Sequence, residues 1–179
     1  MLIYGLKLII IFILNITIKM TNQSIIQKAS TRVYEQLGFG LSESAYQTAL
    51  AAELSETYLD VQTEFHVSQY YTTTKGRKVQ IADLRIDVLI DDKIILELKT
   101  VDGALEKFDK KTGELKMGEI MKLKEYKQCE RYQNIKDINE GYLINFGKKG
   151  LDFIVVNEKN KVELKKESNK NVMNIESFD

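Results

Sequence analysis

The sequence has no proline, no tryptophan, one cysteine and one histidine. With Cys129 as the only thiol there is no internal disulfide framework and no cysteine zinc cluster, a usage that suits a reducing compartment. Without proline, the turns are read from glycine and short polar residues. The lone His66, in a loosely alternating segment, is far more often a packed or exposed side chain than a ligand. An excess of either charge is lacking as well. Lys plus Arg and Asp plus Glu number 26 each, so no global field recruits nucleic acid or anionic membrane, and any polyanion site must be a local patch. Long hydrophobic runs are also scarce. The unbroken apolar stretch Leu8 to Leu14 reaches Ile18 only across Asn15 and Thr17, too short for a span of about 20 residues.

Residues 1–19 are nevertheless the compositional outlier. Their length and the preceding Lys7 suit a signal-peptide core or a weak signal anchor, although no small-residue cleavage site follows. A third reading starts the protein at Met20, where MTNQSIIQKAS makes a natural beginning for a soluble domain, and this reading is favoured. The expected organisation is an apolar segment over 1–19, one domain over 20–156 and a charged tail over 157–179. The expected location is intracellular and soluble, cytoplasmic or nucleoid and nuclear, with membrane association only if residues 1–19 are retained and inserted.

The most informative stretch is Ile86 to Thr100, IDVLIDDKIILELKT. Ile86, Val88 and Ile90, then Ile94, Leu96 and Leu98, alternate with the period of half-buried strands. A loop of Asp91, Asp92 and Lys93 sets Ile90 against Ile94, Val88 against Leu96 and Ile86 against Leu98, keeping the apolar rows on one face; a two-residue turn would slip them apart. In that register Asp87 lies opposite Glu97, with side-chain roots about 4.5 to 5.5 Å apart, and Arg85 lies opposite Lys99. Like charges across a ladder destabilise it, whereas a divalent cation between two carboxylates turns repulsion into binding. The competing reading is a solvent-exposed face on which Asp87 pairs diagonally with Lys99 or Arg85.

Around this hairpin the remaining elements fall into order. Ile25, Ala29, Val33 and Leu37 predict a first helix with Ser24 as cap and Gly38 as its close. A second runs from Ser42 to about Thr57 with Tyr46, Leu50 and Leu54 on one side and Glu43 in its first turn, where the helix dipole alone would favour an acid. Leu59 to Val67 reads as a strand, TTTKGRK as a turn, and Val79 to Ile90 as the first hairpin arm. Asp102 to Gly118 reads as a polar, lysine-rich excursion, and Glu119 to Ile135 as a third helix. On that helix Gln128, Tyr132 and Lys124 share a face, and Cys129 is expected to be a small buried hydrophobe. GYLINF and LDFIVV, separated by GKKG, read as a closing hairpin. One more strand is expected at Lys161 to Leu164.

The order helix, helix, strand, hairpin, helix, strands predicts an α/β sandwich with a mixed sheet. At this point the sequence resembles a family. GLSESAY, Gly40 to Tyr46, fits the motif that names the GxxExxY family, a branch of the PD-(D/E)XK superfamily of restriction-endonuclease-like nucleases. IIQKASTRVYEQLGFGLSESAYQTALAAEL resembles that family's opening helices, LRIDVLIDDKIILELKTV its core hairpin, and GYLINFG the strand after its last core helix. The likeness covers Ser24 to Val156. The excursion from Asp102 to Gly118 is longer than the usual link, and the family does not require the N-terminal apolar segment.

The resemblance implies a restriction-endonuclease-like sandwich, a central mixed β-sheet flanked by helices in α-α-β-β-β-α-β-β order. It implies metal ligation by Asp87, Glu97 and the main-chain carbonyl of Leu98, with Glu43 acting through a water or a second ion. Glu43, Asp87, Glu97 and Lys99 would be the catalytic set, and Mg²⁺ or Mn²⁺ the cofactor. Gln128 and Tyr132 match a Q-x-x-x-Y helix motif and, with Lys124 and Arg131, would contact nucleic acid, DNA being favoured. A second copy of the chain is a further candidate partner. A catalytically silent module of the same fold, binding nucleic acid or a protein, is the alternative.

Overall fold

Two helices open the chain in the computed structural model, which describes residues 21–156. The apolar N-terminal segment, Met20, the strand expected at Lys161 to Leu164 and the charged tail lie outside the described residues. Helix α1 spans Asn22–Leu37. Its cap is Thr21, whose hydroxyl accepts from the Ser24 N–H at 3.2 Å, so the expected cap lies inside the helix. Gly38, at φ +66°, closes it by donating its N–H to the Tyr34 carbonyl at 2.8 Å, in a left-handed conformation that a Cβ would strain. The buried stripe is Ile26, Ala29 and Val33; Leu37, expected in that stripe, is exposed. Helix α2 spans Glu43–Ser55, capped by Ser42, and buries Tyr46, Leu50 and Leu54 as expected.

The sheet has five strands in sequential order: β1 (Val61–Thr72), β2 (Lys78–Ile90), β3 (Ile94–Lys99), β4 (Glu140–Gly147) and β5 (Gly150–Val156). Neighbours are antiparallel except β3 and β4, which run parallel. That pair needs a crossover, supplied by the excursion, the short helix α3 (Met117–Ile120) and helix α4 (Lys124–Lys136). The α/β class and the mixed sheet flanked by helices are therefore those expected. The third helix is in two pieces, because Leu123 adopts an extended conformation at the cap of α4 and packs with Met117 and Met121 on the core under it. Strand β1 also runs five residues past Val67, to Thr72, the first residue of the expected turn.

Both sheet faces are covered, so the core is two-sided. Helices α1 and α2 pack with Val88, Ile90, Ile94, Leu96 and Leu98 on one face. Helix α4 packs with Leu89, Ile95, Leu143 and Ile154 on the other. The hairpin register is the expected one where the ladder exists: Ile90 faces Ile94 and Val88 faces Leu96, around a turn in which Asp91 and Asp92 have positive φ. The ladder stops there. Ile86 is not in a row with Val88; it is buried in the α4-side cluster with Val67. The alternation inverts across a kink at Asp87 and at the facing Glu64, whose φ is +57°. Among the described residues no helix is long and apolar enough to cross a membrane.

Candidate active site

The inversion at Asp87 separates β2 from β3 and opens the place where the charged residues collect. Instead of pairing with Glu97 across a ladder, Asp87 turns its carboxylate to accept the Leu98 N–H at 2.7 Å, filling the gap left by the ended ladder. Glu97 is the one acid in strand β3, IILELK, and is fully buried. Lys99 reaches back to it: Nζ lies 2.5 Å from Glu97 Oε1 and 2.6 Å from the Leu98 carbonyl oxygen. The same ammonium stands 3.8 Å from Glu43 Oε2 and 3.9 Å from Asp87 Oδ2. Side-chain exposure rises from 0% at Glu97 to 11% at Asp87 and 41% at Glu43, so the cluster leads from the interior into solvent at the start of α2.

Helix α2 is fixed in place by the tyrosine one turn after Glu43. Tyr46 stacks on Phe146, with ring centroids 4.5 Å apart and planes 10° from parallel. Its hydroxyl donates to the Gly38 carbonyl at 2.6 Å and receives the Leu41 N–H at 3.3 Å, tying down the loop that delivers Glu43. The structure thus brings together Glu43, Asp87, Glu97 and Lys99 from three separate elements.

The electrostatics follow from burial. Desolvation pushes the Glu97 carboxyl up to about 8, with the Asp87 charge adding to it and the Lys99 ammonium opposing. Asp87 is raised by the same desolvation, against the Leu98 N–H and Lys99. Glu43 is raised likewise. Burial works to lower Lys99, but Glu97, Asp87 and Glu43 outweigh it and hold the ammonium charged. Three acids thus share one cation, and Glu97, the most buried of them, favours its protonated form below about 8.

Among the described residues no three acidic, histidine or cysteine side chains are already spaced as an ion cage. The donor set still fits a hard cation. Glu97 Oε2 is buried with no hydrogen-bond partner, a costly state for a carboxylate oxygen. Lys99 Nζ occupies a position among carboxylate and carbonyl oxygens, the ligand types that Mg²⁺ and Mn²⁺ take. Asp87, Glu97, the Leu98 carbonyl and Glu43 are the residues that could hold such an ion.

On α4, Gln128 Nε2 donates to the Tyr132 hydroxyl at 2.9 Å, so the two share a face as expected. Tyr132 itself is buried in the core under α4. Its phenol is raised first by burial, opposed by the Gln128 bond, and then by the charges of Glu97 and Asp87, which places it in the cluster's field. Lys124 is almost fully exposed beside Glu125, and Arg131 is exposed. Cys129 is fully buried, as expected, and its thiol is pushed well up by burial. Arg85 does not face Lys99. The inversion sends it to Glu64, at 2.6 Å, because the row that would have opposed Lys99 has changed faces.

Two residues near the cluster, Gln47 and Glu64, are not legible in the sequence. Gln47 donates through Nε2 to the Asp87 carbonyl at 2.7 Å and to Glu64 Oε1 at 2.8 Å, bracing both sides of the kink. Gln47, Glu64 and Arg85 line an open cleft of about 480 Å³ with Ser42, Glu43 and Ser44. The only available signal was the four-residue spacing from Glu43 to Gln47, which puts both on one helix face. His66 is an exposed partner of Asp83, at 3.1 Å, outside the cluster.

A family model described as the PD-(D/E)XK nuclease superfamily matches residues 20–112. The chain belongs to that superfamily. The matched stretch carries α1, α2 and β1 to β3, and with them Glu43, Asp87, Glu97 and Lys99; α4 and the closing hairpin follow it. No curated protein matches the chain. Among solved structures, the crystal structure of SSO0001 is similar at 16% identity with a TM-score of 0.44, over 64% of this chain and 50% of that one. This PD-(D/E)XK chain therefore spans about half the length of that protein.

Proposed function

We propose that the chain is a divalent-metal-dependent nuclease of the GxxExxY branch, hydrolysing phosphodiester bonds of nucleic acid, with DNA as the favoured substrate. The observation that carries this reading is the convergence of Glu43, Asp87 and Glu97 on Lys99, with one oxygen of buried Glu97 unpartnered. Such a site is expensive for folding alone and suits a chemistry that needs concentrated oxygen donors beside a fixed cation.

Asp87, Glu97 and the Leu98 carbonyl would hold Mg²⁺ or Mn²⁺, with Glu43 acting through water or a second ion. When bound, such an ion makes a water more acidic and offsets charge on phosphoryl oxygens. Lys99, kept charged by its three acids, donates to a phosphate oxygen or to the attacking water and stabilises the charge that builds there. Glu43, the most exposed acid of the three, accepts a proton from a water entering through the cleft. Tyr132, expected to touch nucleic acid, is buried and instead holds the half-buried Gln128 by their hydrogen bond. Gln128 orients the substrate strand from the α4 side, and the exposed Lys124 and Arg131 offer contacts to its phosphates. The leaving oxygen takes its proton from solvent in the open cleft.

The test is cleavage of end-labelled single- and double-stranded oligonucleotides in Mg²⁺, Mn²⁺ or EDTA. Wild type is expected to cut only with a divalent ion, Asp87→Asn not to cut, and Lys99→Met to cut about 10² to 10³ more slowly. Metal-dependent cleavage that survives the double variant would sink the assignment. Binding without cleavage in either metal would favour the silent module instead.

A further inference from the structure

The hairpin of β1 and β2 extends well past the rest of the sheet. Strand β2 pairs with β3 only over Val88–Ile90, whereas it pairs with β1 out to Lys78. The protruding arm is closed by a turn in which the Gly76 N–H reaches the Thr73 carbonyl at 2.9 Å and the Arg77 N–H the Thr73 hydroxyl at 3.0 Å. Its charge is one-sided although the chain is neutral. No acid occurs between Glu64 and Asp83, while Lys75, Arg77 and Lys78 cluster at the tip. All three are exposed, and among the described residues none of their side chains has a carboxylate partner.

The arm's register decides what faces the cleft. Phe65 and Val67 pack on the α4 side, so Glu64, His66 and, by alternation, Ser68, Tyr70 and Thr72 share the opposite side. A bulge between Gln69 and Tyr70 then pairs Tyr70 with Gln80 and Thr72 with Lys78. Because the extra residue is on β2, it turns Gln80 and Lys78 to the side that Arg85 and Asp83 occupy nearer the base. One face thus leads from the cleft at Arg85, past the 56%-exposed ring of Tyr70, to Lys78 and the cationic tip.

We infer that this arm is a nucleic-acid docking element, holding the phosphate backbone with Lys75, Arg77 and Lys78 and offering Tyr70 as a stacking surface. Cations without partners beside an exposed aromatic are the features that bind such a backbone. Along the strand, Lys78 stands roughly 30 Å from Asp87 at about 3.3 Å per residue. That places the gripped phosphates about nine base pairs from the bond at the carboxylate cluster. The inference rests on the nuclease-type reading of the site, but its test does not need turnover.

The experiment is fluorescence anisotropy with a labelled single strand and the matching duplex in EDTA, across a salt series, for the full chain. Replacing Lys75, Arg77 and Lys78 together by Ala should weaken binding at low salt at least about tenfold and make the salt slope shallower by about 2 to 3. Tyr70→Ala should weaken single-strand binding about fivefold or more, with Tyr70→Phe restoring it. Loss on the duplex alone or on the strand alone identifies which form the arm holds. Unchanged affinity and slope in the triple variant, or no binding by wild type to either form, overturns the inference. Failure of the nuclease reading is seen elsewhere, as absent cleavage by a wild type that still binds through the arm. Circular dichroism of each variant checks that these exposed changes leave the fold intact.

Discussion

Glu97 holds the Lys99 ammonium at 2.5 Å through Oε1 while its buried Oε2 has no partner. One oxygen is engaged and one is open, in a strand otherwise made of core residues. This division gives the metal-free protein a definite pH dependence. Burial raises Glu97 from the ordinary carboxylate value to about 8, so the native state favours its protonated form. The stability this contributes is fully present below pH 4.5, the unfolded value, and is lost as pH rises through about 8. Asp87 and Glu43 shift in the same direction. In EDTA, Tm should therefore fall between pH 5 and 8, and Glu97→Gln should flatten the profile. Added Mn²⁺ should raise Tm more at pH 8 than at pH 5.5, because ligands must be deprotonated. A metal-free Tm that climbs over this interval would contradict the origin assigned to the shift.

Lys99 is the cation that keeps three acids together. Lys99→Met leaves Glu97, Asp87 and Glu43 facing one another with no counter-charge in the pocket. Removing one partner of a buried ionic cluster costs about 3 to 5 kcal/mol. The loss should be largest near pH 8, smaller near pH 5, and partly recovered by Mn²⁺. Urea unfolding with and without metal measures it. Cleavage should fall by about 10² to 10³ even where metal restores the fold, since a fixed charge at the reacting phosphate is missing.

Gln47 braces the kink from α2, donating to both the Asp87 carbonyl and Glu64. Gln47→Leu leaves a buried carbonyl without its donor and releases Glu64 from one of its two restraints, which should cost about 1 to 3 kcal/mol. Asp87 should lose its fixed aim, so activity should fall more than stability does. Gln47→Glu should be worse than Gln47→Leu, because it adds a further acid to an already anionic cleft. Equal activity in all three proteins would show that the brace has no part in the site.

The fold was readable because periodicity reports burial. Tyr46, Leu50 and Leu54 and the hairpin pairs Ile90 with Ile94 and Val88 with Leu96 follow directly from apolar spacing. What periodicity cannot show is where a strand inverts. Ile86 alternates with Val88 in the sequence yet packs on the opposite face, since the positive φ of Glu64 across the ladder is set by tertiary contacts with Gln47 and Arg85. The hairpin register marks Asp87 and Glu97 as an awkward pair of like charges, whereas their meeting with Glu43 follows from the family resemblance rather than from spacing. The break at Leu123 and the bracing by Gln47 depend on what lies across the core, about which a single local window is silent.

The seat of α4 offers a last test linking packing to the site. Gly141 on β4 has no positive φ, so its lack of a side chain is required by what lies above it. A Cβ there would stand 2.9 Å from the Gln133 side-chain carbon and nitrogen and 3.2 Å from Cys129 Sγ. Gln133 cannot simply swing away, because its Nε2 donates to the Val156 carbonyl at 2.9 Å in the interior. Gly141→Ala should therefore lift α4 from the sheet and cost about 1 to 3 kcal/mol. Tyr132, on the same helix and in the field of Glu97, would move with it, so cleavage should drop while the Asp87, Glu97 and Lys99 strands stay in place. Pairing the change with Gln133→Ala removes the closest contacts, leaving only Cys129 Sγ at 3.2 Å, and should recover part of the lost activity, although the Val156 carbonyl then lacks its donor. Denaturant midpoints and cleavage rates for the two single variants and the double one separate the clash from the lost hydrogen bond. A Gly141→Ala protein as stable and as active as wild type would mean that α4 does not bear on β4 at this point.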